Sequence, residues 1–306
     1  MTVAGSSKVS LSGRVAVVTG AGKGLGRAYA LHLAAQGARV VVNNRRHLGE
    51  ADADTSAMQT VQAIRATGGE AEADWSDVAD PKSGEAMVGR ALSHFGRLDI
   101  VVANAGIDHG ALFHKQSLAE FRAILDVGFL GNLHLAHAAW PRLIGQGYGR
   151  VILTASSAGL YGNRGQSAYS AAKAAVMGLA RALAIEGRRH AVAANVILPY
   201  GYTQMTAPFM EKNAEKTFDP AQVAPLVGWL ASEACDVSGE VLVCGAGIVR
   251  RATTAESAAM LLDAEQPGDT VHALTQSKAP GQSYPTANDS FARFLEELAA
   301  LSGKTA

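Results

Sequence analysis

The run Gly20-Ala21-Gly22-Lys23-Gly24-Leu25-Gly26 stands between a β-branched segment, RVAVVTG, and an Ala- and Leu-rich segment, RAYALHLAAQG. Glycines at these intervals permit the tight turn by which a strand enters a helix, and they let another group come close to the backbone. The first turn of such a helix presents unpaired N–H groups and the positive end of the helix dipole, a ready seat for a pyrophosphate. By itself the pattern is also what a plain tight turn would show. Its position near the N-terminus, strand before and helix after, makes it read as a dinucleotide-binding turn.

The rest of the chain repeats that rhythm. RVAVVTG, ARVVVN, EAEAD, LDIVVANAG, RVILTASS, AVAANVILP and EVLVCGAG are strand candidates, and helix-length segments separate most of them. Strands joined through helices imply right-handed crossovers, and runs apolar on both faces imply a parallel sheet covered on both sides. The fold class expected is therefore α/β, a single doubly wound parallel sheet of the Rossmann type over residues 1–250. Residues 251–306 read as a helical extension rather than an independent domain, with QPGDT and SKAPGQSYPTAND as loops. In its last helix Phe291, Phe294, Leu295, Leu298 and Leu301 share one face. That face suits a helix docked on its own domain, a subunit contact, or a lid.

Composition narrows the function classes. With 306 residues, 48% of them hydrophobic, the chain can bury one large core. Basic and acidic residues balance at 27 each, so the basic face that nucleic-acid binding needs is not expected. Cys235 and Cys244 form no disulfide or zinc spacing and read as free thiols of a reducing compartment. The N-terminal MTVAGSSKVSLSG lacks the apolar core of a signal peptide, no later apolar run is uninterrupted over a membrane's width, and a cytoplasmic protein is expected. His134 and His137, three apart, and His109 and His114 in the preceding loop do not converge as metal ligands would, so no metal is expected.

A second group of residues is Ser156, Tyr169 and Lys173, in TASSAGLYGNRGQSAYSAAK. Tyr169 and Lys173 are four apart in an Ala-rich stretch, so a helix sets them on one face. An unperturbed phenol, with a pKa of about 10, is a poor proton-transfer group at neutral pH, and a neighbouring ammonium favours its phenolate. On this reading the lysine tunes the tyrosine. Ser156, closing a strand, offers its hydroxyl to a substrate carbonyl whose oxygen gains negative charge during hydride transfer. The plain alternative is a surface tyrosine, a solvated lysine and a helix-capping serine.

ANAG at 103–106 and Pro199 after the sixth strand join the glycine turn and the Ser156, Tyr169 and Lys173 spacing to make four motifs in order. Over roughly residues 10–250 the chain thereby resembles the short-chain dehydrogenase/reductase family. Further stretches, among them AAW at 138–140, YGRVI, AIEGR, VAPLVGWL and CGAGI, look like the (3R)-hydroxyacyl-CoA dehydrogenase unit of peroxisomal multifunctional enzymes of β-oxidation. The resemblance implies Tyr169 as general acid/base, Lys173 as its modulator and a ribose ligand, and Ser156 as the group orienting the carbonyl. It implies Gly20, Gly24, Leu25 and Gly26 at the pyrophosphate, Asp77 and Val78 beside the adenine, and Asn104, Ala105 and Gly106 along the cofactor's middle. It further implies a 3-hydroxyacyl or 3-oxoacyl thioester as first substrate. With the small residues of HLAHAAW and YSAAKAAVMGLARALA, it points to a homodimer or homotetramer.

Three positions depart from the family pattern. Tyr200 follows Pro199 where the family has Pro-Gly, which reshapes the substrate entrance. Gly128, in DVGFLGN, stands where many members carry an asparagine that completes a catalytic tetrad; Asn132, one helical turn later, does not match the motif. The third departure is at the end of the second strand, where a carboxylate would accept the ribose hydroxyls of NAD and repel a 2′-phosphate. Asn44 removes that repulsion, Arg45 offers a planar fork to a phosphate, and Lys23 adds a second positive charge. NADP(H) is thus expected ahead of NAD(H), the bland alternative being that these cations are merely solvated. The function expected is hydride transfer between a nicotinamide cofactor and a secondary alcohol or ketone. The alternatives are reduction of another ketone or a quinone, or a non-catalytic NADP(H)-sensing regulator, which Gly128 alone favours.

Overall fold

The structure, a computed structural model, describes residues 9–211 and 213–301. The first eight residues, part of the stretch read as having no signal-peptide core, lie outside the described residues. The chain divides at Arg251 and Ala252 into two compact units.

The first unit alternates strand and helix. It begins with β1 (Val15–Val18), α1 (Gly24–Ala35), β2 (Arg39–Asn43), α2 (Ser56–Ala66), β3 (Ala71–Asp74), α3 (Ser83–Phe95) and β4 (Ile100–Ala103). It continues with α4 (Leu118–Leu125), a π turn at Asp126–Leu130, α5 (Gly131–Gly145), β5 (Gly149–Thr154), α6 (Ser157–Tyr161), α7 (Ser167–Gly187) and β6 (Val192–Pro199). α8 (Ala214–Thr217), α9 (Ala224–Leu230), β7 (Val241–Gly245) and β8 (Ile248–Ala252) complete the set of strands.

One eight-stranded sheet results, in the order β3-β2-β1-β4-β5-β6-β7-β8. β1 to β7 run parallel. Every residue of β1 and of β5 is buried, as strands covered on both faces require. α1, α2 and α9 pack together on one face of the sheet, and α3, α5 and α7 on the other. The stretch Ser167–His190, which contains α7, is long and apolar enough by composition to cross a bilayer. In this chain it packs against β5, β6, α4 and α6, which bury part of that stretch.

Two features escaped the sequence pattern. The eighth strand turns back from β7 through Ala246 (φ 50°) and Gly247 (φ 72°), the paired positive φ values of a I′ hairpin, and so runs antiparallel. Its residues are almost wholly exposed, so no in–out alternation marks it, and it runs across the boundary drawn between residues 250 and 251. The other is Asp99, fully buried just before β4. It accepts from Val15 N at 2.9 Å, Arg14 Nη1 at 3.0 Å and Arg97 Nη2 at 2.6 Å, tying the start of β1 to β4. In the second unit α10 (Pro267–Gln276) and α11 (Ala287–Leu301) accompany a bridge between Glu256 and Gln282. Ser290 Oγ donates to the Glu256 carboxylate at 2.9 Å.

Helix spacing on the sheet depends on glycine at one contact. A Cβ on Gly84, in the first turn of α3, would lie 2.1 Å from the His134 carbonyl oxygen of α5. Because backbone cannot yield as a side chain does, Gly84→Ala is expected to destabilise the protein by about 1–3 kcal/mol through overpacking. A urea melt should show a lower midpoint at unchanged slope; an unmoved midpoint would mean that α3 and α5 can part freely.

Candidate active site

β1 lies between β2 and β4, so the loops leaving β1 and β4 diverge and open a crevice at the strand ends. Thr19 joins its two sides. Its hydroxyl accepts from Asn104 N at 2.9 Å and Ala105 N at 3.0 Å, and its carbonyl accepts from Asn104 Nδ2 at 3.1 Å. Gly20 follows at φ 63°, and a Cβ there would come within 3.0 Å of Ala105 Cα. Gly24, at φ 53°, begins α1 beneath Thr203, whose Cγ2 a Cβ would meet at 3.1 Å. A cleft of about 1460 Å³ opens over this turn.

Gly20, Lys23, Gly24, Leu25, Asn104, Ala105 and Gly106 all line that cleft. Gly26 is buried and does not line it: a Cβ on Gly26 would sit 2.3 Å from the Gly20 carbonyl oxygen and 2.7 Å from Asn104 Nδ2. Its role is to let α1 close against the turn. A backbone cradle that tolerates no Cβ, at the N-terminus of a twelve-residue helix, fits a dinucleotide pyrophosphate.

At one end of the cleft stand Asn44, Arg45, Asp77 and Val78. Asn44 Nδ2 donates to Ser56 Oγ at 2.9 Å. Arg45 Nη1 lies 3.3 Å from Asp77 Oδ2, with the two side chains 61% and 41% exposed. Arg46 turns away, pairing with Asp52 and stacking 4.7 Å over the Trp75 ring. The Val78 carbonyl is 3.0 Å from His134 Nδ1.

At the other end the same cleft is lined by Ser156, Tyr169 and Lys173. Ser156 both caps α6, accepting from Ala158 N at 3.2 Å, and hydrogen-bonds Tyr169. The capping alternative and the site reading are therefore true of one hydroxyl. Lys173 Nζ donates to the Thr154 carbonyl at 2.9 Å and lies 5.7 Å from the centre of the Tyr169 ring. Tyr200 lines the cleft beyond Pro199 and is partly exposed, its N–H donating to the Cys244 carbonyl at 2.7 Å. Gly128 is buried inside the π turn, where its carbonyl accepts from Asn132 Nδ2 at 2.9 Å, so the helix is irregular here without the family's asparagine.

Burial is the main cause that shifts the proton affinities of both Tyr169 and Lys173. Burial pushes the Tyr169 phenol up, a Ser156 hydrogen bond opposes that, and the charge of Asp108 adds to it. Burial also lowers Lys173 to about 8. Spacing brought the pair together; burial, invisible in spacing, set their proton affinities. Thr19, Thr154, Thr203 and Asp108 are site residues that sequence reasoning missed.

The short chain dehydrogenase family model matches residues 14–217. This chain belongs to that family. A short-chain type dehydrogenase/reductase of Mycobacterium tuberculosis is 42% identical over 240 residues, covering 78% of this chain and 84% of the relative. The mouse peroxisomal multifunctional enzyme type 2 is 41% identical over 244 residues, 79% of this chain but only 33% of that enzyme. Among solved structures, a short chain dehydrogenase from Mycobacterium avium superposes with a TM-score of 0.80 at 38% identity, over 90% of this chain and 99% of its own. This short-chain dehydrogenase is accordingly an oxidoreductase, of a family that uses NAD(P)(H).

The lowered Lys173 has a consequence for folding. Between its folded value of about 8 and the ordinary lysine value of 10.5, the unfolded chain binds more protons than the folded one. Stability attributable to this group therefore rises as pH increases through that window, and the burial penalty is fully present below it. Chemical denaturation of wild type and Lys173→Met across the window should show their difference in stability shrinking with rising pH. A constant difference would place the Lys173 amine in water.

Proposed function

We propose that this enzyme transfers a hydride between NAD(P)(H) and a secondary alcohol or ketone, with a 3-hydroxyacyl or 3-oxoacyl thioester as first substrate. The observation that carries the reading is the convergence of Ser156, Tyr169 and Lys173 on a cleft that also runs over the glycine turn. The bound nicotinamide would supply or accept the hydride. The chain's own residues do the rest. Tyr169 gives a proton to the carbonyl oxygen or takes one from the alcohol, and Ser156 donates to that oxygen as negative charge gathers on it. Lys173, anchored on the Thr154 carbonyl, has further N–H groups for the cofactor ribose. Asn104, Ala105 and Gly106 line the cofactor's middle, with Asp77 and Val78 at the adenine.

The thioester comes from the likeness to the multifunctional enzymes, of which this chain spans a minor part. Tyr200 favours a second reading, reduction of another ketone or a quinone, because a phenol ring at the cleft wall narrows the entry of a long acyl chain. A cytoplasmic homo-oligomer belongs to the same proposal.

NADP(H) is the preferred cofactor in this reading. Asn44 carries no charge to repel a 2′-phosphate, and Lys23 and Arg45 line the cleft at that end. Asp77 holds Arg45 only through an exposed pair, worth about 0–1 kcal/mol, so the guanidinium is available for a charge-assisted contact.

Two measurements test these assignments. Tyr169→Phe should leave cofactor binding near wild type while lowering turnover by about 100-fold or more, the scale of general acid–base catalysis; unchanged turnover removes Tyr169 from the role. Fluorescence titration should give tighter NADPH than NADH binding, by roughly 10- to 100-fold. Asn44→Asp with Arg45→Asp should reverse that order. Equal or tighter NADH binding by the wild type would show that the arginine does not read the phosphate.

A further inference from the structure

The loop from β3 to α3 carries Asp77 and Val78 to the cleft and is fastened on both sides of Asp77. Before it, Asn43 Nδ2 at the end of β2 donates to the Ser76 carbonyl at 3.0 Å, and Ser76 N donates to Asp74 Oδ1 at 3.0 Å. After it, the Val78 carbonyl accepts from His134 Nδ1 of α5 at 3.0 Å, with Ser83 Oγ a longer donor at 3.3 Å. A carbonyl only accepts, so Nδ1 is the ring nitrogen that carries the proton. α5 comes this close because Gly131, three residues earlier on the same face, has no side chain. A Cβ there would lie 2.9 Å from Val78 Cβ and 3.2 Å from the Val78 carbonyl oxygen. His134 is not among the residues that line the cleft and reaches it only through Val78. Among the described residues the Val78 N–H meets no acceptor, so it stays available to a ligand.

We propose that His134 is a positioning residue for the cofactor: its hydrogen bond to the Val78 carbonyl fixes the wall against which the adenosine half of the dinucleotide binds. This rests on the reading of Asp77 and Val78 as the neighbours of the adenine. Peptide units are planar, so each bond to a carbonyl holds a whole plane. Asn43 holds the plane between Ser76 and Asp77, and His134 holds the plane after Val78. The plane between Asp77 and Val78, which contains the unpartnered N–H, lies between these two and is restrained by both. A wall set before the ligand arrives costs no ordering on binding. Without the imidazole, the Val78 carbonyl keeps only the longer Ser83 bond, and a ligand that uses this wall must first order it. The nicotinamide half, at the end of the cleft that holds Tyr169, makes no such demand.

The test is fluorescence titration of the full chain with NADPH and NADH. Adenosine 2′,5′-bisphosphate and AMP serve as competitors for the adenosine half, and reduced nicotinamide mononucleotide, which lacks that half, is titrated in parallel. His134→Leu should weaken the dinucleotides and their adenosine competitors by about 3- to 10-fold, the scale of one lost hydrogen bond, and leave the mononucleotide unchanged. His134→Asn should restore most of the wild-type affinity, because its amide nitrogen is bonded to Cγ as Nδ1 is in histidine and can donate to the same carbonyl. A merely structural role would weaken all of these ligands together. His134→Ala takes the place of the leucine variant if that variant folds poorly by circular dichroism. A folded His134→Leu or His134→Ala protein that binds dinucleotide as tightly as the wild type, or that loses the mononucleotide equally, overturns the inference. A wild type from which neither adenosine competitor displaces the dinucleotide instead removes the reading of Asp77 and Val78 as the adenine wall, and the inference falls with it.

Discussion

The placement of β1 between β2 and β4 is the constraint on which the site depends. Parallel strands whose connections leave in opposite directions must part at their carboxyl ends, and the gap they leave is lined by backbone rather than filled by side chains. Here the gap is held to a fixed width by one hydroxyl. Thr19 accepts two backbone N–H groups from the far loop, and Gly26 lets α1 settle onto the carbonyl of Gly20. The cradle is thus a product of sheet order first and of glycine chemistry second.

The chemistry at the other end of the cleft is governed by dehydration. Both Tyr169 and Lys173 are held largely away from water, and each is pushed toward its neutral form. Burial disfavours charge on either group, but Lys173, lowered to about 8, still carries its proton at neutral pH, and a Ser156 hydrogen bond favours the phenolate of Tyr169. Proton transfer at such a site is sensitive to every fixed charge nearby, because little solvent is present to screen it.

How much of this was legible in the sequence depends on how far apart the partners lie. Tyr169 and Lys173 are one helical turn apart, and the glycine turn is a single contiguous run, so spacing alone locates them. The Val-rich strands were readable for a similar reason, since burial on both faces leaves no polar positions within them. Thr19 and Asn104 are separated by 85 residues and Asp108 and Gln166 by 58, and no local pattern signals such contacts. β8 was missed for the opposite reason: an exposed strand that carries two arginines has no apolar alternation to betray it. Gly26 carries the glycine pattern yet faces away from the cleft, because sequence records the need for a small residue without recording which neighbour imposes it.

A free serine hydroxyl spins, offering its proton in any direction and paying entropy when a partner stops it. At Ser156 one lone pair is already engaged by the Ala158 N–H at the start of α6. The hydroxyl is therefore stationed before any substrate arrives, its accepting side turned toward the helix. What remains for the cleft is its O–H and a single lone pair, and Tyr169 already engages the hydroxyl there. The short helix after β5 thus restrains the rotor, taking one of two acceptor sites and narrowing the directions in which the proton can be offered.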